Sequence, residues 1–217
     1  MRVRDGQRSG SGRREKVKLY ITSTSPYARV ARIVVHEKGL DERIEILEAK
    51  TRSTGSPYYA VNPSGRVPFL VKDDGTGIED SGLIAAWLDH LDGKPTLTLP
   101  LATADWQYGR LEAYARSLTD GLSVWVREMR RPESERSPTI IAHEAARAQR
   151  LADFWEREIG HSLMQGPLNL AQLYLLAGID QLLHWGHGDL TEGRPQLAAW
   201  LARLHLRPSV RATAPGA

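Results

Sequence analysis

Three short segments of this chain hold residues whose type and setting could do chemistry: Ser25-Pro26, Val67-Pro68 and Glu79-Asp80-Ser81. Ser25 stands directly before Pro26 at the expected start of a helix, and a serine N-cap followed by proline at the first helical position is favoured on structural grounds alone. The same geometry also serves chemistry, because a hydroxyl at a helix N-terminus can donate to an anion that the helix dipole favours. Both readings are open at this point, and Tyr20, Thr22, Ser23 and Thr24 are competing hydroxyls nearby. Asp80-Ser81 again opens a helix with polar residues, suited to capping it or to binding a charged ligand end. The chain contains no cysteine, which excludes disulfides, thiolate zinc sites and a cysteine nucleophile. Any thiol chemistry must therefore use a thiol carried in by another molecule. The seven histidines show no metal-ligand spacing, so no metal is expected.

The elements that must position these residues follow from hydrophobic periodicity. A strand over 19–22 precedes a helix over 26–39, and Ile44, Ile46 and Leu47 suggest a second strand. A strand over 67–71 is entered through Pro68, and Gly75 and Gly77 turn the chain into a short strand ending near Glu79. Ser81 is expected to cap a helix carrying Leu83, Ile84, Trp87, Leu88 and Leu91 at helical spacing. Strands alternating with helices predict a small α/β domain over 17–92. A linker over 93–104 with Pro95 and Pro100 follows, and strand signals then nearly vanish. Tyr108, Leu111, Ala115, Leu118, Leu122, Trp125 and Met129 form one seam of a long helix. Further helices are expected over 138–159, 169–184 and 195–205, which makes 105–217 an all-helical bundle domain. Asn169 and Gln172 read as a capping box at the helix over 169–184.

The sequence pI is near 9.3, but the basic excess sits at one end. Residues 1–16 carry +4 and the remainder −1, so the body offers no broad electrostatic footprint and nucleic acid is not an expected partner. Residues 1–16 lack apolar periodicity and read as a disordered basic tail, and Val17 is a candidate alternative start of translation. No run approaches the roughly 18 apolar residues of a membrane span, nor does a signal-peptide core follow the basic start. No membrane association is expected, and the cytoplasm is the expected location.

The order of segments and their punctuation resemble the glutathione S-transferase superfamily over 18–215. Ser25-Pro26-Tyr27-Ala28-Arg29-Val30 resembles the first strand-to-helix turn of classes with serine or cysteine before proline. Asn62-Pro63-Ser64-Gly65-Arg66-Val67-Pro68-Phe69-Leu70 is similar to the family's Asn-Pro-x-Gly-x-Val-Pro-x-Leu segment. Glu79-Asp80-Ser81 with Ile84 and Leu88 resembles its Glu-Ser helix start, and Arg207-Pro208-Ser209-Val210 with Thr213 and Pro215 a frequent bacterial ending. The stretch from Asp120-Gly121-Leu122 to Arg127-Glu128 also looks like a bacterial branch.

The resemblance implies a thioredoxin-like N-terminal domain, an all-α C-terminal domain and a cytosolic, serine-type homodimer that uses glutathione as cosubstrate without a further cofactor. It implies that Ser25 is the catalytic residue, its hydroxyl steadying the glutathione thiolate. Lowering a thiol pKa by about two units from 8.5 requires roughly 2.7 kcal/mol. A hydrogen bond to a charged group contributes about 1.5–3 kcal/mol and a helix N-terminus about 0.3–1, so one serine and one helix end suffice. By the same resemblance the Val67–Pro68 peptide is cis and the Val67 backbone pairs with the cysteinyl part of glutathione. Asp80 and Ser81 hold the γ-glutamyl end, with Glu79 as the competing carboxylate, and Arg66 approaches the glycine carboxylate, as Arg52 does less clearly. The expected reaction is conjugation of glutathione to a small apolar electrophile or a related glutathione-dependent reaction. The absence of cysteine disfavours chemistry through a mixed disulfide with the protein. The alternative is a non-catalytic interaction module or ligand carrier on the same fold.

Overall fold

The computed structural model describes residues 17–98 and 106–217. The expected tail over 1–16 and the linker residues 99–104 lie outside the described residues. Strand β1 (Val17–Ile21) buries Val17, Leu19 and Ile21 while Lys18 points outward, the two-residue alternation of a strand with one packed face. Helix α1 (Pro26–Glu37) crosses over to β2 (Ile44–Glu48), which pairs parallel with β1 from Val17 opposite Ile44 to Ile21 opposite Glu48. A parallel neighbour needs such a crossover, whereas antiparallel strands need only a turn. The short helix α2 (Tyr58–Val61) precedes β3 (Phe69–Val71), and a hairpin joins β3 to β4 (Gly77–Glu79). Both pairings of β3 are antiparallel, giving the order β2-β1-β3-β4. Helix α3 (Ser81–His90) packs beside α1. This is the thioredoxin-like α/β unit expected.

The rest is helical: α4 (Gln107–Met129), a single 3-10 turn (Glu133–Glu135), α5 (Pro138–Glu158), α6 (Ser162–Gln165), α7 (Leu170–His184), α8 (Pro195–His205) and α9 (Pro208–Ala212). Every residue of α7 from Leu170 to Leu182 is buried, as befits a helix apolar nearly all round. It lies between α1 and α4, and one continuous apolar core runs from β1 and α1 through α4 and α7 to α8. Gly178 makes the α4–α7 approach close: a Cβ there would sit 2.6 Å from the Thr119 hydroxyl oxygen and 3.2 Å from its Cα.

Several local expectations are corrected. Asp80, not Ser81, is the N-cap of α3, its Oδ1 accepting from the amides of Gly82 (2.8 Å) and Leu83 (3.2 Å). Leu83 is 59% exposed, while Ile84, Ala85 and Leu88 face the core. In α4 the seam continues from Leu122 to buried Val126, leaving Trp125 and Met129 half-buried. A strict 3.5-residue repeat drifts around a 3.6-residue helix, so extrapolating it over three heptads selects the wrong last residues. Helix α1 ends at Glu37 and Gly39 takes the left-handed turn, φ 60°. Asn169 caps α7 by accepting from the Gln172 amide at 3.2 Å, but the Gln172 side chain donates to the carbonyls of Leu163 and Pro167 instead of reaching back to Asn169.

One buried carboxylate ties α3 to the segment after it. Asp89, fully buried, accepts from the amides of Thr96, Leu97 and Thr98, from the Thr98 hydroxyl, and lies 3.3 Å from the Lys38 ammonium. Burial opposes its ionisation, yet the amides of Thr96 and Thr98 hold its pKa below the usual carboxylate value.

Candidate functional site

A cavity of about 720 Å³ opens between the strand-to-helix turns of the sheet and the flank of α4. Ser25 lines it. The turn before α1 is closed by the Ser25 amide donating to the Thr22 carbonyl at 3.1 Å, which leaves Ser25 extended (φ −75°, ψ 122°) as the N-cap. Its Oγ accepts from the Ala28 amide at 3.2 Å. That bond uses a lone pair and leaves the hydroxyl hydrogen to donate elsewhere. Capping and donation to an anion are therefore compatible in one side chain. Among the competing hydroxyls, Tyr20 faces the Tyr58 ring at 5.5 Å on the other side of β1, while Thr22 and Thr24 share the cavity wall with Ser25.

Arg66, Val67 and Pro68 line the same cavity. The turn before them is held rigidly. The Arg66 carbonyl accepts from the Tyr58 hydroxyl (2.5 Å) and the Asn62 side-chain amide (3.0 Å), and Asn62 Oδ1 accepts from the Ser64 amide. Gly65 has φ 65° and lies so close to the Tyr59 ring that a Cβ would come within 2.6 Å of it. No other residue fits that turn without displacing Tyr59. The Val67–Pro68 peptide is cis, and Val67 stands just before Phe69, where pairing with Tyr20 begins.

At the opposite wall Asp80 adopts φ 78°, ψ 126°, a conformation L residues avoid and which costs of order 1–3 kcal/mol where it persists. Its Oδ2 accepts from Arg116 at 2.8 Å while Oδ1 caps α3. The Ser81 hydroxyl is buried and lies 2.7 Å from the Tyr174 hydroxyl, and Arg116 crosses the Tyr174 ring at 4.9 Å from its centroid. Burial pushes the Tyr174 phenol well above its ordinary range, so it stays protonated. The amides of Gly82 and Leu83 are thus taken by Asp80, and Arg116 is the cation at this wall. Glu79 accepts from the Ser64 hydroxyl and also lines the cavity.

Residue types alone had not marked the α4 side of the cavity. Arg116, Asp120, Ser123, Arg127 and Arg130 all line it, and their steps of 4, 3, 4 and 3 place them on one helical face. That spacing was available as a signal. Tyr27 donates to Asp120, and burial followed by this contact pushes the Tyr27 phenol far up. Arg52 lines the cavity too; burial and then the guanidiniums of Arg127 and Arg130 push its pKa down. Apolar surface comes from Pro26, Val124, Val126 and Trp185. Ser25, Arg66, Val67, Pro68, Asp80 and Ser81 are therefore all brought to one cavity. No grouping of histidine and carboxylates able to hold a metal occurs among the described residues, and no described helix is long and apolar enough to cross a membrane.

Residues 24–91 match the family model described as glutathione S-transferase, N-terminal domain. A GST-like protein of Escherichia coli K12, YibF, is 26% identical over 167 residues, covering 76% of this chain and 82% of the relative. A glutathione S-transferase from Methylobacillus flagellatus, solved with glutathione bound, superposes with a TM-score of 0.80 at 28% identity, over 92% of this chain and 99% of that one. A glutathione transferase family member from Pseudomonas fluorescens, solved with bound S-(propanoic acid)-glutathione, superposes at 0.79 with 25% identity over the same shares.

Proposed function

Since this chain belongs to the glutathione S-transferase superfamily, we propose that it is a transferase conjugating glutathione to a small electrophile, with Ser25 stabilising the thiolate. The observation that carries this reading is the Ser25 hydroxyl. It caps α1 as an acceptor, keeps its hydrogen, and faces the cavity from a helix N-terminus. A thiolate there gains both a hydrogen bond and the helix dipole.

Glutathione would lie along the cavity wall. The backbone of Val67, ahead of the first ladder pair of β3, offers its amide and carbonyl to the cysteinyl unit as an added strand would. Arg116 and the Ser81 hydroxyl suit the γ-glutamyl carboxylate, and Asp80, its side chain 54% exposed, has room to accept its ammonium. Arg66 suits the glycine carboxylate. Asp80 replaces the longer acid usual at this place and is anchored by Arg116, so the carboxylate is held by a partner instead of by reach. The apolar electrophile expected from the resemblance would rest on Val124 and Trp185.

The test is retention of the purified chain on immobilised glutathione, followed by turnover of chlorodinitrobenzene with glutathione. Retention with turnover above the uncatalysed rate is expected. No retention would favour the alternative, a non-catalytic interaction module or ligand carrier on this fold.

A further inference from the structure

The cavity wall holds cations that the placement of glutathione above does not use. Five arginines line it against Glu79, Asp80 and Asp120. Asp80 is paired with Arg116, and Asp120 accepts from the Tyr27 hydroxyl about two to three turns before Arg127 and Arg130. Among the described residues, no carboxylate lies within ion-pair distance of Arg52, Arg66, Arg127 or Arg130. Arg127 donates its Nε to the Ser123 carbonyl at 3.1 Å, and Arg130 lies 3.9 Å over the Trp185 ring. An adjoining hollow of about 450 Å³ shares Arg52, Val124, Arg127 and Arg130 with the main cavity. The mutual repulsion of these guanidiniums depresses Arg52 further than burial alone. Neighbouring cations with no carboxylate in direct contact, set in a concave wall, suit an anion.

Helix geometry separates that anion from glutathione. Tyr27, two residues after Ser25, contacts Asp120, so the sulfur would lie level with the middle of α4. Arg116 is one turn before that level and Arg127 two turns beyond it. At 1.5 Å per residue, Arg127 stands about 16 Å along the axis from Arg116, whereas extended glutathione, a tripeptide lengthened by its γ-linkage, spans only about 13 Å. With Arg116 at the γ-glutamyl end and Arg66 beside Val67, both glutathione carboxylates have cations before Arg127 and Arg130 are reached.

Resting on the conjugation reading above, we propose that the second substrate is an electrophile bearing a carboxylate. Its carboxylate is seated by Arg127 and Arg130 and its carbon frame lies against Trp185 and Val124. For an aryl chloride the step is a substitution. The thiol proton passes to solvent, the sulfur–carbon bond forms, and the carbon–chlorine bond breaks with chloride leaving as the anion.

A matched pair tests this: chlorodinitrobenzoate and its methyl ester, which share the reacting carbon and differ in the charge. At saturating glutathione, the acid-to-ester ratio of kcat/KM should exceed the ratio of the uncatalysed rates by about tenfold or more, the value of one charge-assisted contact. In Arg127→Met/Arg130→Met that ratio should fall toward the uncatalysed one, with Arg127→Lys intermediate. Both arginines are exposed, so the fold survives the change, as circular dichroism would verify. A wild-type ratio at or below the uncatalysed one overturns the inference and leaves the transferase reading standing. So does a double variant that raises KM for glutathione with the ratio unmoved, because the arginines then serve glutathione. Turnover of neither compound, with no retention on glutathione, sinks both readings together.

Discussion

Replacing Ser25 by alanine removes two things at once, and they can be separated. The Oγ bond to the Ala28 amide is an N-cap, whose loss costs about 1 kcal/mol of stability. Because α1 is buried along most of its length, from Pro26 to Val35, the fold persists with a lower Tm. The second loss is the donor to the thiolate. A hydrogen bond to a charged group is worth about 1.5–3 kcal/mol, and each 1.36 kcal/mol is one pKa unit. The thiol of bound glutathione should therefore titrate about one to two units higher in Ser25→Ala than in the wild type. The ionised fraction is lost at low pH and regained at high pH. Hence, from a wild-type thiol pKa of about 6.5, kcat/KM should fall about fivefold to fiftyfold near pH 6.5 and converge with the wild type above about pH 9.5. Ser25→Gly supplies the control, since glycine at an N-cap costs only a few tenths of a kcal/mol. It should melt close to the wild type yet show the same raised thiol pKa. The assay is the ultraviolet absorbance of the thiolate in the binary complex, titrated against pH for all three proteins. An unmoved midpoint in both variants would refute the reasoning, and would turn attention to Thr22 or Thr24 on the same wall.

Other consequences concern the frame around the site. Asp89→Asn removes the acceptor shared by three amides, a hydroxyl and Lys38, and should destabilise the protein by about 2–4 kcal/mol at pH 7 in urea melts. Because the folded pKa of Asp89 is depressed, its contribution is complete above the unfolded value of about 3.9 and is lost as pH falls through the folded value. The gap between wild type and variant should therefore narrow in melts below about pH 4. Gly178→Ala gains about 1 kcal/mol of helix propensity but sets a Cβ 3.2 Å from the Thr119 Cα, which belongs to a packed helix and cannot swing away. A net loss of about 1–3 kcal/mol is expected, and an unchanged or raised Tm would show that α4 and α7 can separate freely. Arg116→Met should weaken glutathione binding about tenfold by calorimetry, and an unchanged Kd would remove Arg116 from the γ-glutamyl end.

Much of this was legible in the residues, for identifiable reasons. Ser25-Pro26 and Asn62-Pro63-Ser64-Gly65 are local devices: caps and turns whose geometry is set by residues a few positions apart, so sequence adjacency carries the information. The long helices were readable because their apolar stripes repeat often enough to outvote single residues. The four-residue helices α2 and α6 had no such repetition, and neither did the five-residue α9. Asp80 taking the cap from Ser81 depended on a backbone angle, φ 78°, that an L residue adopts only when its surroundings enforce it. The partners of Gln172 are carbonyls at Leu163 and Pro167, placed by a turn that its own motif does not encode.

The site residues of α4 were missed for a different reason, and it bears on how the site is built. The helix has two stripes: Ala115, Leu122 and Val126 pack inward and Arg116, Ser123 and Arg127 follow one position later, while Asp120, two positions after inward-packed Leu118, completes the polar stripe. One residue is a rotation of about 100°, so the polar stripe is turned toward the cavity by whatever fixes the apolar one. What fixes it is the close approach of Gly178 to Thr119, whose hydroxyl also donates to the Tyr174 carbonyl at 2.8 Å. Tyr174 in turn holds Ser81 and carries Arg116 over its ring. The register of α4 against α7 therefore sets which charges face the ligand. A substitution at Gly178 mild enough to leave the protein folded should change glutathione affinity as well as stability, although the residue is buried inside the helical half. A glutathione Kd that stayed constant while Tm fell would show the two stripes to be independent.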